Sequence, residues 1–272
     1  MASARTILAL PHALADVDRL RGALDGRTPA VFLDYDGVLT PIVDDPAAAT
    51  LPDDGRAAVV RAAAHLPVAI ISGRDLEDVR AMVAVPGLAY AGSHGFDMLL
   101  PDGARERYGE EFLDDLDVVE DRVGDDLDGV TGVRVERKKF AIAVHTRRAP
   151  GEDERERARA AVAAAARDHP RLRVTGGKDI EEFRPGLEWD KGRALTRLME
   201  VLDLDLRSHA PIYVGDDITD EDAFAVIADT GVGIVVAGAT DRETRAAFRL
   251  DDPSETAALL DALITLAKEP QR

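Results

Sequence analysis

Hydrophobic positions along this chain fall into two textures. The first is a series of short, continuous apolar runs: Val31 to Leu33, Val68 to Ile71, Leu88 to Ala91, Ile212 to Val214 and Val232 to Val236. Unbroken apolar runs of this length suit strands buried on both faces. Helical spacing alternates with them. Leu14, Val17, Leu20 and Leu24 predict an amphipathic helix over residues 12–24, and Gly55 to Leu66 is Ala-rich and stopped by Pro67. A helical segment runs to about Val85, and Phe96 to Leu100 begins another strand. Lys191 to Leu204 is a helix with Leu195, Leu198, Met199 and Leu202 facing inward, and a further helix runs to about Ala228. Two C-terminal helices are expected, the last near Thr256 to Lys268, while Thr40 to Asp54, rich in Pro, Ala and Asp, reads as a loop. Strand–helix alternation of this kind predicts an α/β fold with a doubly wound, Rossmann-like parallel sheet.

The second texture begins past Gly103. Glu110 to Asp128 is strongly acidic, with Phe112, Leu113, Leu116, Val119, Val123 and Leu127 on one helical face. That is a helix with a core face and a solvated acidic face. Val133 to Lys139 and Phe140 to Arg147 alternate as half-exposed strands, Glu152 to His169 is helical, and Leu172 to Thr175 and Ile180 to Phe183 are strand-like. Alternating strands paired with helices describe an antiparallel sheet covered on one side. The expected organisation is therefore a core of residues 1–100 and 187–272 interrupted by an inserted, smaller α+β domain over 101–186.

Composition narrows the chemistry. The chain has 272 residues, enough for one large domain or two smaller ones, and 46% hydrophobic with 32% charged residues describes a globular protein. A net charge of −18 argues against nucleic acid or an anionic membrane surface as partner. It still allows an anionic ligand where a metal and local cations reverse the field. The absence of cysteine excludes disulfides, thiolate metal sites and cysteine nucleophiles. Residues 1–20 lack a signal-peptide core and no run is long enough to span a bilayer, so a cytoplasmic protein, monomeric or weakly oligomeric, is expected.

Four of the apolar strands run into polar residues. The first ends on Asp34 and Asp36 with Gly37 to turn the chain. The pair can supply a carboxylate nucleophile and a proton carrier bound to a hard cation, or form an ordinary Asx-rich turn. The second ends on Ser72-Gly73-Arg74-Asp75, where a hydroxyl and backbone N–H groups suit a phosphate; a plain N-cap uses the same residues. Leu88 to Ala91 runs into Gly92-Ser93-His94-Gly95, where His94 is either a substrate contact or a turn residue. The strand Ile212 to Val214 enters Gly215-Asp216-Asp217-Ile218-Thr219-Asp220. In open parallel sheets, sites collect at the carboxyl ends of strands beside the switch point, which would gather Asp34, Asp36, Ser72, Asp216 and Asp220, with Lys191 at a helix start. Oxygen ligands, a nucleophile, a second carboxylate, a hydroxyl and a cation are the parts phosphoryl transfer needs.

Asp34-Tyr35-Asp36-Gly37-Val38-Leu39, Ile71-Ser72-Gly73, Lys191 and Gly215-Asp216-Asp217-Ile218-Thr219-Asp220 resemble, in order, the four motifs of the haloacid dehalogenase superfamily. With Pro41-Ile42, Gly92-Ser93-His94-Gly95, Glu182-Phe183-Arg184-Pro185 and Trp189-Asp190-Lys191-Gly192, they look like the trehalose-6-phosphate phosphatase family over residues 28–260. Val38 departs from the Thr common in that family; the wider superfamily accepts either.

The resemblance implies a phosphatase that hydrolyses trehalose 6-phosphate, with Asp34 as nucleophile and Asp36 as acid and base. It implies Mg²⁺ held by Asp34, the Asp36 carbonyl and Asp216, with Asp220 and Asp217 in support. Ser72 and Lys191 would bind phosphoryl oxygens, and Gly73, Arg74 and His94 would bind the substrate beside them. The insert would be a cap reading the sugar through Glu136, Lys138 and Glu182, backed by Arg184, His145 and Arg147. Without the resemblance, Glu136 and Lys138 read equally as a solvated strand face and Arg184 as a structural ion pair. Three alternatives stay open: another capped sugar-phosphate phosphatase (sucrose-phosphate or mannosyl-glycerate-phosphate type), a mutase, and a non-catalytic sugar-phosphate sensor.

Overall fold

The computed structural model describes residues 5–43, 48–177, 179–238 and 240–269; residues 44–47 of the loop expected over Thr40 to Asp54 lie outside the described residues. The chain forms two compact units, Met1–Glu106 with Trp189–Arg272, and Arg107–Glu188. In chain order the first contains β1 (Arg5–Thr6), α1 (Val17–Leu24), β2 (Thr28–Leu33), α2 (Asp53–Ala63), β3 (Val68–Ile71), α3 (Leu76–Val83), β4 (Ala89–Gly92), β5 (Asp97–Leu99) and, ending at the unit boundary, β6 (Arg105–Arg107). The second contains α4 (Leu113–Leu127), β7 (Arg134–Lys138), β8 (Ala141–His145), α5 (Glu152–Asp168), β9 (Leu172–Gly177) and β10 (Ile180–Pro185). The chain then returns with α6 (Lys191–Val201), β11 (His209–Gly215), α7 (Glu221–Ile227), β12 (Val232–Val236), β13 (Glu243–Thr244), β14 (Phe248–Leu250) and α8 (Thr256–Lys268).

The first unit is an α/β Rossmann-like core. Its eight-stranded sheet has the order β14-β12-β11-β2-β3-β4-β5-β6. From β14 to β4 neighbouring strands are parallel, and β5 then pairs antiparallel with β4. Strands β2, β3 and β4 step away in one direction, and β11, β12 and β14 in the other. The order reverses between β2 and β11, which is where a doubly wound sheet opens a crevice at its carboxyl ends.

Continuous apolar strands require cover on both faces, and helices supply it. Val31, Leu33, Ile70, Ile212 and Val214 face a core built with Ala58 and Val59 of α2 and Leu259 and Leu263 of α8. On the opposite face α6 packs on β3 and α7 on β11 and β12, where the Phe224 ring meets the Tyr213 ring edge-on at 5.6 Å. Each fully buried aliphatic or aromatic side chain here contributes about 1.5–3 kcal/mol. No helix among the described residues is long and apolar enough to cross a membrane.

The stretch between β12 and α8 differs from expectation. Among the described residues, one α-helix follows β12, namely α8, and the stretch before it contains β13 and β14. Phe248 and Leu250 are buried and Arg249 half-buried, an alternation that suits an edge strand beside β12.

The second unit pairs a four-stranded antiparallel sheet, order β7-β8-β10-β9, with α4 and α5. Leu116, Val119 and Val123 of α4, Ala158 and Val162 of α5, and Ile142, Val144 and Phe183 of the sheet share one core. The acidic residues of α4 lie off that core, as its apolar stripe requires.

Candidate active site

The site is assembled at the reversal between β2 and β11. Asp34 follows the last residue of β2, and Asp216 and Asp220 lie in the loop after β11. Carboxylate oxygens of the three lie within 4.8 Å of one another. Lys191 reaches them from α6, whose start is set by Asp190: its carboxylate accepts the Arg193 N–H at 2.9 Å, placing Lys191 in the first turn. The Lys191 ammonium donates to Asp34 Oδ2 at 2.5 Å and to Asp220 Oδ1 at 2.7 Å.

Asp220 is held by four donors. Besides Lys191, its Oδ1 accepts the Tyr213 hydroxyl at 2.6 Å, and its Oδ2 accepts the backbone N–H groups of Asp216 and Asp217, both at 2.9 Å. Asp220 thereby fixes the loop that carries Asp216. Gly215 must be glycine for this closure, since a Cβ there would sit 2.3 Å from Asp220 Cγ. Gly37 serves the neighbouring turn: its φ is +71°, and a Cβ would lie 2.1 Å from Asp216 Oδ2. Asp217 is exposed, and its carboxylate caps the N–H of Ile218.

Three carboxylates facing one ammonium leave an excess of negative charge in a buried place. Burial pushes the Asp34 carboxyl up to about 7, against the pull of Lys191 and with a push from Asp220. Burial, then Asp34 and Asp220, push Asp216 up to about 8. Burial alone would lower the Lys191 ammonium, but Asp220 and Asp34 outweigh it and hold it above its ordinary value. The Tyr213 phenol is pushed well above its ordinary value by burial and by Asp220, so it donates. An all-oxygen set short of positive charge fits a hard divalent cation, with Asp34 and Asp216 as the carboxylates able to ligate it. A second cluster, His12 with Asp251 and Glu255, does not fit one. His12 Nδ1 accepts the N–H groups of Leu14 and Ala15 at 3.2 and 3.3 Å, which puts the ring proton on Nε2, where it bonds Glu255 at 3.0 Å.

Asp36 stands apart from the trio in its bonding. Arg74 holds it through two parallel bonds, Nε to Oδ2 and Nη2 to Oδ1, each 2.7 Å. Ser72 is buried, and its hydroxyl accepts the Arg74 N–H at 3.2 Å. The turn Ser93-His94 has positive φ at both residues and is stitched to this loop by the bonds from Ser93 N–H to Arg74 O and from His94 N–H to Ser72 O. The His94 ring covers Gly73, where a Cβ would be 2.8 Å from its Cε1.

The remaining predicted residues lie in the second unit, where Arg147 is exposed just past the end of β8 and the others sit on β7, β8 and β10. Glu182 accepts from Lys138 at 2.9 Å and from Arg184. Burial opposes its ionisation, but Lys138 and Arg184 hold the carboxyl below its ordinary value. Glu136 accepts from Arg134 at 2.6 Å and pairs with His145 Nε2 at 2.7 Å. Tyr213, absent from the sequence-based site, carried one signal: a hydroxyl inside an apolar strand needs a buried partner. Arg242 carried none; it donates to the Asp216 carbonyl at 3.1 Å and pairs with Glu221 from a segment without apolar pattern.

Comparison with known proteins bears on this geometry. The trehalose-phosphatase family profile matches residues 32–254. An uncharacterized glycosyl hydrolase of Mycobacterium tuberculosis (strain CDC 1551 / Oshkosh) is 44% identical over 266 residues, covering 94% of this chain and 20% of that protein. The chain thus spans about a fifth of that relative's length. The trehalose-phosphate phosphatase of Mycobacterium avium (strain 104) is 43% identical over 270 residues, 95% of this chain and 68% of that protein. The C-terminal domain of Candida albicans trehalose-6-phosphate phosphatase shares the fold, with a TM-score of 0.77 at 23% identity over 94% of this chain and 99% of that one.

Proposed function

The chain belongs to the trehalose-phosphatase family, and on that premise we propose that it hydrolyses trehalose 6-phosphate to trehalose and phosphate. The observation that carries this reading is Lys191, buried and bonded at once to Asp34 and Asp220 beside Asp216. A structural ion pair needs one partner, whereas a lysine among three carboxylates at a switch point suits a site built to receive a phosphoryl group and a cation.

Asp34 attacks phosphorus, and its carboxylate takes the phosphoryl group as an acyl phosphate. Asp36 gives a proton to the departing sugar oxygen and later takes one from the water that hydrolyses the acyl phosphate. Ser72 and Lys191 hold the phosphoryl oxygens. Asp34, the Asp36 carbonyl and Asp216 would hold Mg²⁺, which would supply the charge neutralisation that phosphoryl transfer demands. Asp220 and Tyr213 keep the Asp216 loop in place. Glu136, Lys138, Glu182 and Arg184 of the Arg107–Glu188 unit read sugar hydroxyls, the work of a cap domain; paired carboxylates and cations are suited to that task.

Phosphate release with Mg²⁺ over trehalose 6-phosphate, sucrose 6-phosphate, glucose 6-phosphate and an aryl phosphate tests the reading. Strong preference for the first is expected, with loss of turnover on all in Asp34→Asn. Equal rates on all four would discard the sugar-reading residues and keep the phosphatase. Full turnover by Asp34→Asn would end the mechanism.

A further inference from the structure

Asp36 has two jobs in this reading, and both require its carboxylate in one place and one orientation. Its second side-chain torsion joins sp³ to sp² carbon and is intrinsically broad, so the carboxylate does not orient itself. In this chain something else does. The Arg74 guanidinium grips both oxygens, Nε to Oδ2 and Nη2 to Oδ1 at 2.7 Å each, the planar fork that only arginine offers. The grip is itself anchored at three points. The guanidinium lies 5.4 Å from the centroid of the Tyr35 ring, and that ring is buried with its hydroxyl bonded to the Ala49 carbonyl at 3.0 Å. The Arg74 N–H donates to Ser72 Oγ at 3.2 Å, and its carbonyl accepts the Ser93 N–H at 2.6 Å. The arginine side chain is 13% exposed and the aspartate 39%, so the pair is fixed from the protein side and open on the other.

We propose that Arg74 is the positioning residue of the acid–base step, acting on Asp36 and not as a ligand of the phosphate. The inference rests on the reading of Asp36 above. In the first half-reaction, an Asp34 oxygen–phosphorus bond forms as the bond to the sugar oxygen breaks, and the proton of the Asp36 carboxyl passes to that oxygen. In the second, water's oxygen bonds phosphorus, the Asp34 oxygen–phosphorus bond breaks, and water's proton returns to Asp36. Arg74 exchanges no proton in either. It holds the torsion, and misplacement of a reacting group by an ångström costs about 10²-fold.

Leaving-group dependence separates this role from phosphate binding. A sugar alkoxide leaves only with a proton, whereas a nitrophenolate leaves without one; kcat/KM for an aryl phosphate therefore reports Asp34 attack with little call on Asp36. The experiment measures kcat/KM for trehalose 6-phosphate and p-nitrophenyl phosphate in Arg74→Ala, Arg74→Lys, Asp36→Asn and the Arg74→Ala/Asp36→Asn double variant. Both Arg74 variants are expected to lose roughly 10²-fold on the sugar phosphate and less than about threefold on the aryl phosphate. The double variant should lose no more than Asp36→Asn alone, because the two residues act as one unit. Aryl phosphate turnover also reports that each variant is folded. Equal losses on both substrates in the Arg74 variants, or full rescue by lysine, would overturn the positioning role in favour of phosphate binding. Equal losses on both substrates in Asp36→Asn would instead remove the acid–base assignment on which the inference rests.

Discussion

Asp220 accepts four hydrogen bonds, from Lys191, Tyr213, and the N–H groups of Asp216 and Asp217, so its oxygens are spent inside the protein. It fixes the loop that carries Asp216 and leaves little of itself to offer a ligand. Tyr213→Phe tests that arrangement with the ring's packing on Phe224 kept: one donor to a buried carboxylate disappears. A loss of about 1.5–3 kcal/mol in urea unfolding is expected. Gly37→Ala tests the neighbouring close approach. The new Cβ would fall 2.1 Å from Asp216 Oδ2, on a backbone already at φ +71°. Turnover should fall by roughly 10²-fold while circular dichroism shows the fold retained. The close approach at Gly37 is not visible in the sequence, where it is a turn residue, and Tyr213 shows there only that a strand hydroxyl needs some partner, not which one.

At the scale of elements, the second unit's sheet shows how alternation creates a charged face. Residues opposite each other in an antiparallel ladder share a face, and Ala143 of β8 stands opposite both Glu136 and Glu182, while Ala141 stands opposite Lys138. Two alanines on the middle strand leave room for Lys138 to cross β8, about 9–10 Å between its outer neighbours, and reach Glu182. Periodicity predicted these strands, yet the lysine's reach across one of them depends on strand order, which periodicity does not contain. Glu182 is held below its ordinary pKa, so its stabilising contribution is complete above the unfolded value and disappears as pH falls through the folded one. Glu182→Gln should therefore cost about 1–3 kcal/mol near neutral pH, and the gap to the parent should close in strong acid. Urea unfolding at the two pH values measures it; a gap that widens in acid would reverse the assignment.

For the whole molecule, a divalent cation held at the switch point, as proposed, would relieve the carboxylate excess there and so stabilise the fold. Free Mg²⁺ at about one hundred times its dissociation constant should stabilise the fold by roughly 2.7 kcal/mol. Thermal unfolding with and without Mg²⁺ checks this, and Asp216→Asn should abolish the shift. The same scale shows where prediction from pattern stopped. The expected second C-terminal helix is replaced by β13 and β14. Glu243–Thr244 pairs with Arg5–Thr6 and Phe248–Leu250 with β12, each too short to carry a period of its own. Edges of sheets are decided by the strand already there.

The sequence alone determined the kind of fold and the kind of chemistry. Unbroken apolar runs such as Val68 to Ile71 can be buried only with both faces covered, and the motifs at their ends belong to the trehalose-phosphatase family. Those are properties of neighbours in the chain, and local sequence contains them. The tertiary structure alone decided which oxygens and cations meet. The meeting of Asp34 with Lys191, 157 positions later, and of Asp36 with Arg74, 38 later, depends on strand order and side-chain direction. Such contacts are set by packing the whole sheet, because a carboxylate's partner is whatever the fold brings within 3 Å of it.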